Sequence, residues 1–238
     1  MSLIDFIKEN FKNNFQHRPD VEYPNTLIHE KFGGCTINTR SGVKTLIKML
    51  KPENILEIGS WHFGTSDQMG YSLDEIYGED SPVGHVDSFD IKQGGYDGIQ
   101  NNFPKSKRVS KHIWMPHKTI YDDWKETDQE TKDSGFLELT NEQIFEKNAK
   151  YLQSIKPLNG YDMIYIDGDH SYDGVGFDWN YSKLVANKNT LIILDDIWDY
   201  RLREVRRFFN DIKTPKWDFE EWNTENRDKV VNMGVALL

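Results

Sequence analysis

Asn54-Ile-Leu-Glu-Ile-Gly-Ser-Trp-His-Phe-Gly-Thr-Ser66 decides the fold. Ile55, Leu56 and Ile58 form the short apolar run of a strand buried on both faces, interrupted by Glu57 and ended by Gly59. The implied order is strand, turn, helix. Gly59 and Gly64 allow a sharp turn and a close approach by a ligand, while Ser60, Thr65 and Ser66 supply hydroxyls and an N-cap. A small ligand can sit against the helix start. The GxGxxG spacing of dinucleotide sites is absent, because Gly59 is followed by Ser60 and Trp61.

Around this turn the pattern is that of one α/β domain. Leu3, Ile4, Ile7, Phe11 and Phe15 have helical spacing and predict an amphipathic cover helix over 3–15, for packing or dimer contact. Residues 17–34 read as a Pro-containing loop, and Ser41 to Leu50 as a helix capped by Ser41 and stopped by Pro52. Ser66 to Tyr77 is the first crossover helix. The run His85 to Ile91 is a second strand with Asp90 at its carboxyl end, where doubly wound sheets bind ligands; an acid there can accept both hydroxyls of a ribose. Asp87 is its rival. Val109 to Met115 is a poor third strand, the charged stretch 122–134 a solvated insertion, and Asn141 to Ile155 a helix.

Two further strands end in acid. Met163, Ile164, Tyr165 and Ile166 precede Asp167-Gly-Asp-His-Ser-Tyr172, and Leu191 to Leu194 precede Asp195-Asp196. Titratable groups so crowded cost stability unless something binds them. If the strands are neighbours, Asp167, Asp195 and Asp196 make an oxygen-rich site suited to Mg²⁺, Mn²⁺ or Ca²⁺, able to lower the pKa of a substrate hydroxyl. The competing assignment is helix capping, by Asp169 and Ser171 for a helix over 172–184 and by Asp196 or Asp199 for one containing Arg203 to Phe209. Trp217 to Trp222 and Val230 to Leu237 read as a closing antiparallel pair.

The Glu-Ile-Gly-Ser-x-x-x-Gly-x-Ser turn, the strand ending in DGDHSY and the strand ending in Asp-Asp together resemble class I S-adenosylmethionine-dependent methyltransferases. Within these the resemblance is to a small-molecule O-methyltransferase branch that includes metal-dependent enzymes of sugars and natural products. It runs from about residue 41 to the end. It implies that Glu57, Gly59, Ser60, Trp61, Gly64, Thr65, Ser66, Asp90, Ile91 and Asp167 contact S-adenosylmethionine, with Glu57 at the amino acid end and Asp90 on the ribose. It also implies Asp167, Asp195 and Asp196 as metal ligands and either Asp169 or His170 as the base. We favour His170, whose ordinary pKa of about 6.5 suits proton abstraction near neutrality.

Composition narrows the rest. A length of 238 residues with 13% aromatics supports one large domain, here an extension over 1–40 and a methyltransferase domain over 41–238. A net charge of -10 with scattered Lys and Arg argues against nucleic acid as the partner. The single cysteine, Cys35, excludes an intrachain disulfide and a cysteine-based zinc site. No signal peptide or membrane span is legible, so cytoplasm is the default. The expectation is thus a doubly wound α/β fold with a seven-stranded, mostly parallel sheet and an N-terminal helical extension. Its expected activity is methyl transfer to a hydroxyl of a small-molecule acceptor, assisted by a divalent metal, with homo-oligomerisation open. The rivals are a metal-dependent glycosyltransferase using Asp167-Gly-Asp169 and a non-catalytic binder of the cofactor.

Overall fold

The apolar runs are realised as a single seven-stranded sheet in the order β3-β2-β1-β4-β5-β7-β6. The strands are β1 (Asn54–Ile58), β2 (His85–Asp90), β3 (Val109–Ile113), β4 (Tyr161–Ile166), β5 (Ala186–Asp195), β6 (Lys216–Trp217) and β7 (Met233–Leu237). Strands β1 to β5 run parallel, and β7 runs antiparallel to both β5 and β6. The structure, a computed structural model, describes residues 1–15, 37–60, 64–90, 106–115 and 138–238. The readings placed on 17–34, 122–134, Cys35, Trp61 and Ile91 lie outside these residues.

Side chains alternate across the sheet with period two and meet a helical layer on each face. Leu56, Ile58, Phe89, Ile164, Ile166, Ile192 and Leu194 pack against α4 (Asn141–Ile155), α5 (Tyr172–Val185) and α6 (Arg203–Asp211). On the opposite face Ile55, Val86, Met163, Tyr165, Ile193 and Val235 meet α1 (Leu3–Asn14), α2 (Ile37–Leu50) and α3 (Gly64–Tyr77). Because β1 and β4 are covered on both sides, a single truncation such as Leu56→Ala would cost about 2–5 kcal/mol.

The amphipathic N-terminal helix forms as expected, its start fixed by a capping box between Ser2 and Asp5. It is built into the core: Phe11 meets Phe219 and Trp222 edge-on at 4.9 and 5.3 Å, and Phe15 packs on Trp222 at 4.7 Å. Among the described residues no helix is long and apolar enough to cross a membrane.

Three local expectations are corrected. Helix α2 begins at Ile37, so Ser41 lies inside it rather than capping it, and residues 37–40 belong to the helix. The stretch 217–222 is not a strand: β6 ends at Trp217, Phe219 takes a left-handed backbone (φ 60°), and α7 (Glu220–Glu225) follows. The N-cap of α6 is Leu202, without a side-chain bond, so neither Asp196 nor Asp199 caps it.

Candidate active site

The sheet reverses its winding between β1 and β4, the point where open α/β sheets leave a crevice beyond the strand ends. Here the two strand ends are drawn together. Asp167 N–H donates to the Ile58 carbonyl at 2.8 Å, and Gly59 N–H to the Phe89 carbonyl at 2.9 Å. Gly59 has φ +83°, and a Cβ there would run into the Asp167 carbonyl and Gly168 Cα. Only glycine serves at this position. Ser60 is buried beside it, while Gly64 and Thr65, at the start of α3, are half-buried.

Glu57 is fully buried on the α2/α3 face. Its Oε2 accepts hydrogen bonds from the hydroxyls of Ser66 and, at 2.6 Å, Ser88. Its Oε1 has no partner among the described residues. Burial raises the carboxyl to about 8; the two serine hydroxyls oppose the rise, and the charges of Asp167 and Asp90 add to it. A buried oxygen without a donor is costly, a cost that a donor brought by a ligand would relieve.

Asp90 and Asp87 are separated by the pleat. Asp90, at the end of β2, is buried and shares the Glu57 face, two residues beyond Ser88, which pairs with Glu57. Asp87 points the other way: it accepts from Tyr161 Oη at 2.8 Å and lies 2.9 Å from His112 Nε2. Burial alone would raise its carboxyl, but the bonds from His112, His85 and Tyr161 hold it well below the ordinary range. Asp87 therefore serves an internal network. Trp114 is a core residue against Phe89 and Tyr181, at 4.9 Å from each.

The ends of β4 and β5 bring Asp167, His170 and Asp196 together, with one ligating atom of each within 4.8 Å of the others. His170 Nε2 is 3.4 Å from Asp167 Oδ1 and 3.4 Å from Asp196 Oδ2. Burial would lower the imidazolium, but the Asp167 hydrogen bond and the charges of Asp167, Asp196 and Asp195 outweigh it and raise it to about 9. Burial and the Asp167 charge in turn raise Asp196 to about 6. Two carboxylates and an imidazole in this arrangement are a donor set that fits a divalent ion.

Asp195 and Asp169 lie apart from this trio. Asp195 accepts from Tyr165 Oη at 2.5 Å and from the Asp196 backbone N–H at 2.8 Å. Asp169 accepts from Ser171 N–H and Ser171 Oγ, both at 2.9 Å, within the turn that enters α5, whose N-cap is Ser171. Asp169 is thus not part of the Asp167–His170–Asp196 group.

Several supporting residues escaped the sequence reading. Ser88 and Tyr165 each sit two positions before a strand-end acid, so period-two alternation alone places them beside Glu57 and Asp195. Asn232 carried no local signal; its Nδ2 donates to Asp196 Oδ1 at 2.6 Å and its Oδ1 accepts from Trp198 N–H at 2.7 Å. Asp196, in a left-handed conformation (φ 58°), is fixed by that bond. Asp178, buried in α5, accepts the Asp169 backbone N–H, and a Cβ on Gly168 would lie 2.5 Å from its Oδ2. Burial, and then the Asp169 charge, raises the Asp178 carboxyl well above its ordinary range.

This architecture has known counterparts. The structure aligns over 100% of its length with 99% of the O-methyltransferase TomG from Streptomyces achromogenes, solved in complex with SAM (TM-score 0.55, 11% identity). Over 98% of its length it aligns with 95% of cofactor-bound Rv0187 from MTB (TM-score 0.55, 12% identity). An O-methyltransferase from Bacillus cereus in complex with SAH aligns over 99% of this chain and 90% of its own (TM-score 0.50, 14% identity). At such identities the likeness is one of fold. A curated relative, the uncharacterized protein R132 of Acanthamoeba polyphaga mimivirus, is 35% identical over 81 residues, a match spanning 30% of this chain and 37% of that protein. The family model described as a methyltransferase domain matches residues 56–197, from the middle of β1 to just past Asp196, and the chain belongs to that methyltransferase family.

Proposed function

We propose that this protein is an S-adenosylmethionine-dependent O-methyltransferase acting on a hydroxyl of a small molecule, assisted by a divalent cation. The observation that carries the reading is the juxtaposition, at one sheet edge, of buried Glu57, whose Oε1 has no partner among the described residues, and the Asp167–His170–Asp196 cluster at the ends of β4 and β5. Structural neighbours solved with SAM or SAH support it.

In this reading Glu57 Oε1 accepts from the ammonium of the cofactor's methionine end, and Asp90 from the ribose hydroxyls. Gly59, Ser60, Gly64 and Thr65, with Trp61 and Ile91 nearby in sequence, surround the bound molecule. The cofactor supplies an activated methyl group, so the protein's work is alignment and deprotonation. Asp167 and Asp196 would hold the cation, with Asp195 behind them; bound there, it would acidify the acceptor hydroxyl and offset the carboxylate charge that favours protonated His170. His170 would take the hydroxyl proton, leaving the acceptor oxygen to form its bond to the methyl carbon as the carbon–sulfur bond broke.

The test is transfer of labelled methyl from S-adenosylmethionine to a panel of sugar and phenolic hydroxyl acceptors, with and without EDTA. Transfer that stops on chelation and returns with Mn²⁺ or Mg²⁺ is expected. Binding of the cofactor with no transfer to any acceptor would favour a sensor or scaffold, and transfer unaffected by EDTA would remove the cation.

A further inference from the structure

The loop leaving β5 and helix α6 border an open cavity of about 410 Å³, lined in part by Trp198, Tyr200, Arg203, Arg206 and Arg207. It adjoins both motif loops. Asp199 N–H donates to the Asp196 carbonyl at 3.2 Å on one side. On the other, the Arg207 guanidinium lies 4.8 Å from the ring of Tyr172, the residue after the Ser171 cap.

Three arginines and two carboxylates line its wall. Its two carboxylates are already engaged, Asp199 by Arg201 at 2.6 Å and Asp211 by Tyr172 Oη at 3.0 Å. Arg207 is likewise paired, with Glu204 at 3.1 Å, whereas Arg203 and Arg206 keep donors to spare. Arg206 lies over the Trp198 ring at 3.6 Å and reaches Asp218 with Nη2 at 3.3 Å, while its Nη1 is buried without a partner among the described residues. Arg203 uses its Nε on the Tyr200 carbonyl at 3.3 Å. A guanidinium carries five N–H donors in a planar fork suited to oxyanions, and residues three apart on a helix share a face. Arg203 and Arg206 thus present donors to one cavity, on a chain whose net charge is -10.

We propose that this cavity is a subsite for an oxyanion, phosphate or carboxylate, carried by the methyl acceptor and held by Arg203 and Arg206 while its hydroxyl reaches the Asp167–His170–Asp196 cluster. The assignment rests on the proposed methyl transfer for the identity of the ligand. The acceptor class then narrows to acidic hydroxyl compounds, such as sugar phosphates or hydroxy acids, rather than neutral sugars or phenols.

The test titrates the full chain with inorganic phosphate and with acetate, at constant ionic strength held with chloride, and follows binding by calorimetry. Saturable binding is expected, weakened at least about tenfold in Arg203→Gln, whose exposed side chain can be changed without disturbing the core. Arg206→Lys, which keeps the charge but loses the fork, should weaken it as well. Tighter phosphate than acetate assigns the phosphate arm, and the reverse order the carboxylate arm. No saturable binding of either anion, or equal affinity in wild type and Arg203→Gln, overturns the subsite. Titration with S-adenosylhomocysteine runs in parallel: anion binding without cofactor binding would sink the methyltransferase reading and leave the anion site, and the converse would sink the subsite alone.

Discussion

Replacing Glu57 with Gln separates what the site costs from what it does. The amide keeps the shape and can still accept from Ser66 and Ser88, but it cannot ionise. In the folded, ligand-free protein burial raises the Glu57 carboxyl to about 8, from an ordinary value of 4.5. The folded state therefore holds a proton that the unfolded chain releases, and this contribution to stability is full below the ordinary value. It is lost as pH rises through about 8. At 1.36 kcal/mol per unit, the loss between pH 5 and pH 8 is about 3–4 kcal/mol. The Gln variant lacks this term, and the other titrating groups largely cancel between the two proteins. For a domain of this size the difference in melting temperature, variant minus wild type, should grow by on the order of 10 °C from pH 5 to pH 8. Thermal melts of both ligand-free proteins across that range measure it. A difference flat in pH, or one that shrinks as pH rises, would refute the burial argument.

Other outcomes follow from the same geometry. His170→Ala should lower turnover by at least about 10²-fold, the range of general base catalysis, while cofactor affinity changes little; rapid-mix assays at saturating cofactor check it. Mn²⁺ should raise the melting temperature of the wild type but not of Asp196→Asn, read by differential scanning fluorimetry. If His170 is the base rather than a ligand, that Mn²⁺ shift survives in His170→Ala. Asp178→Asn should cost less than about 1 kcal/mol, because the amide keeps an acceptor for the Asp169 N–H and burial already disfavours the charge on the acid. Asp178→Leu removes the acceptor for the Asp169 N–H and should cost about 1–3 kcal/mol, measured by urea denaturation.

How much of this was legible depends on how local the cause is. Strands β1, β4 and β5 could be read because both faces are buried and the apolar runs are continuous, and the strand-end acids could be read because parallel strands end together. Gly59 announced its turn, since no other residue fits its backbone and the crossing of β1 and β4. The start of β5 could not be read: residues before Thr190 are polar, Asn189 takes a left-handed conformation, and the pairing with β4 shifts register there. The break after Trp217 is tertiary in origin, because Phe11 of α1 packs among Trp217, Phe219 and Trp222. Adjacent Asp195 and Asp196 look equivalent in sequence, yet Tyr165 takes one and Asn232 aims the other at His170. Asn232 lies 36 positions beyond Asp196, too far for any local pattern to connect them.

The claim on which the account rests is that Glu57 and Asp90 open into one pocket at the β1/β4 edge and hold a cofactor there. Calorimetric titration of S-adenosylhomocysteine into wild type, Glu57→Gln and Asp90→Asn at neutral pH tests it most directly. Saturable binding by the wild type, weakened at least about tenfold in each variant, is the predicted result. No binding by the wild type, or equal affinity in all three, would contradict it.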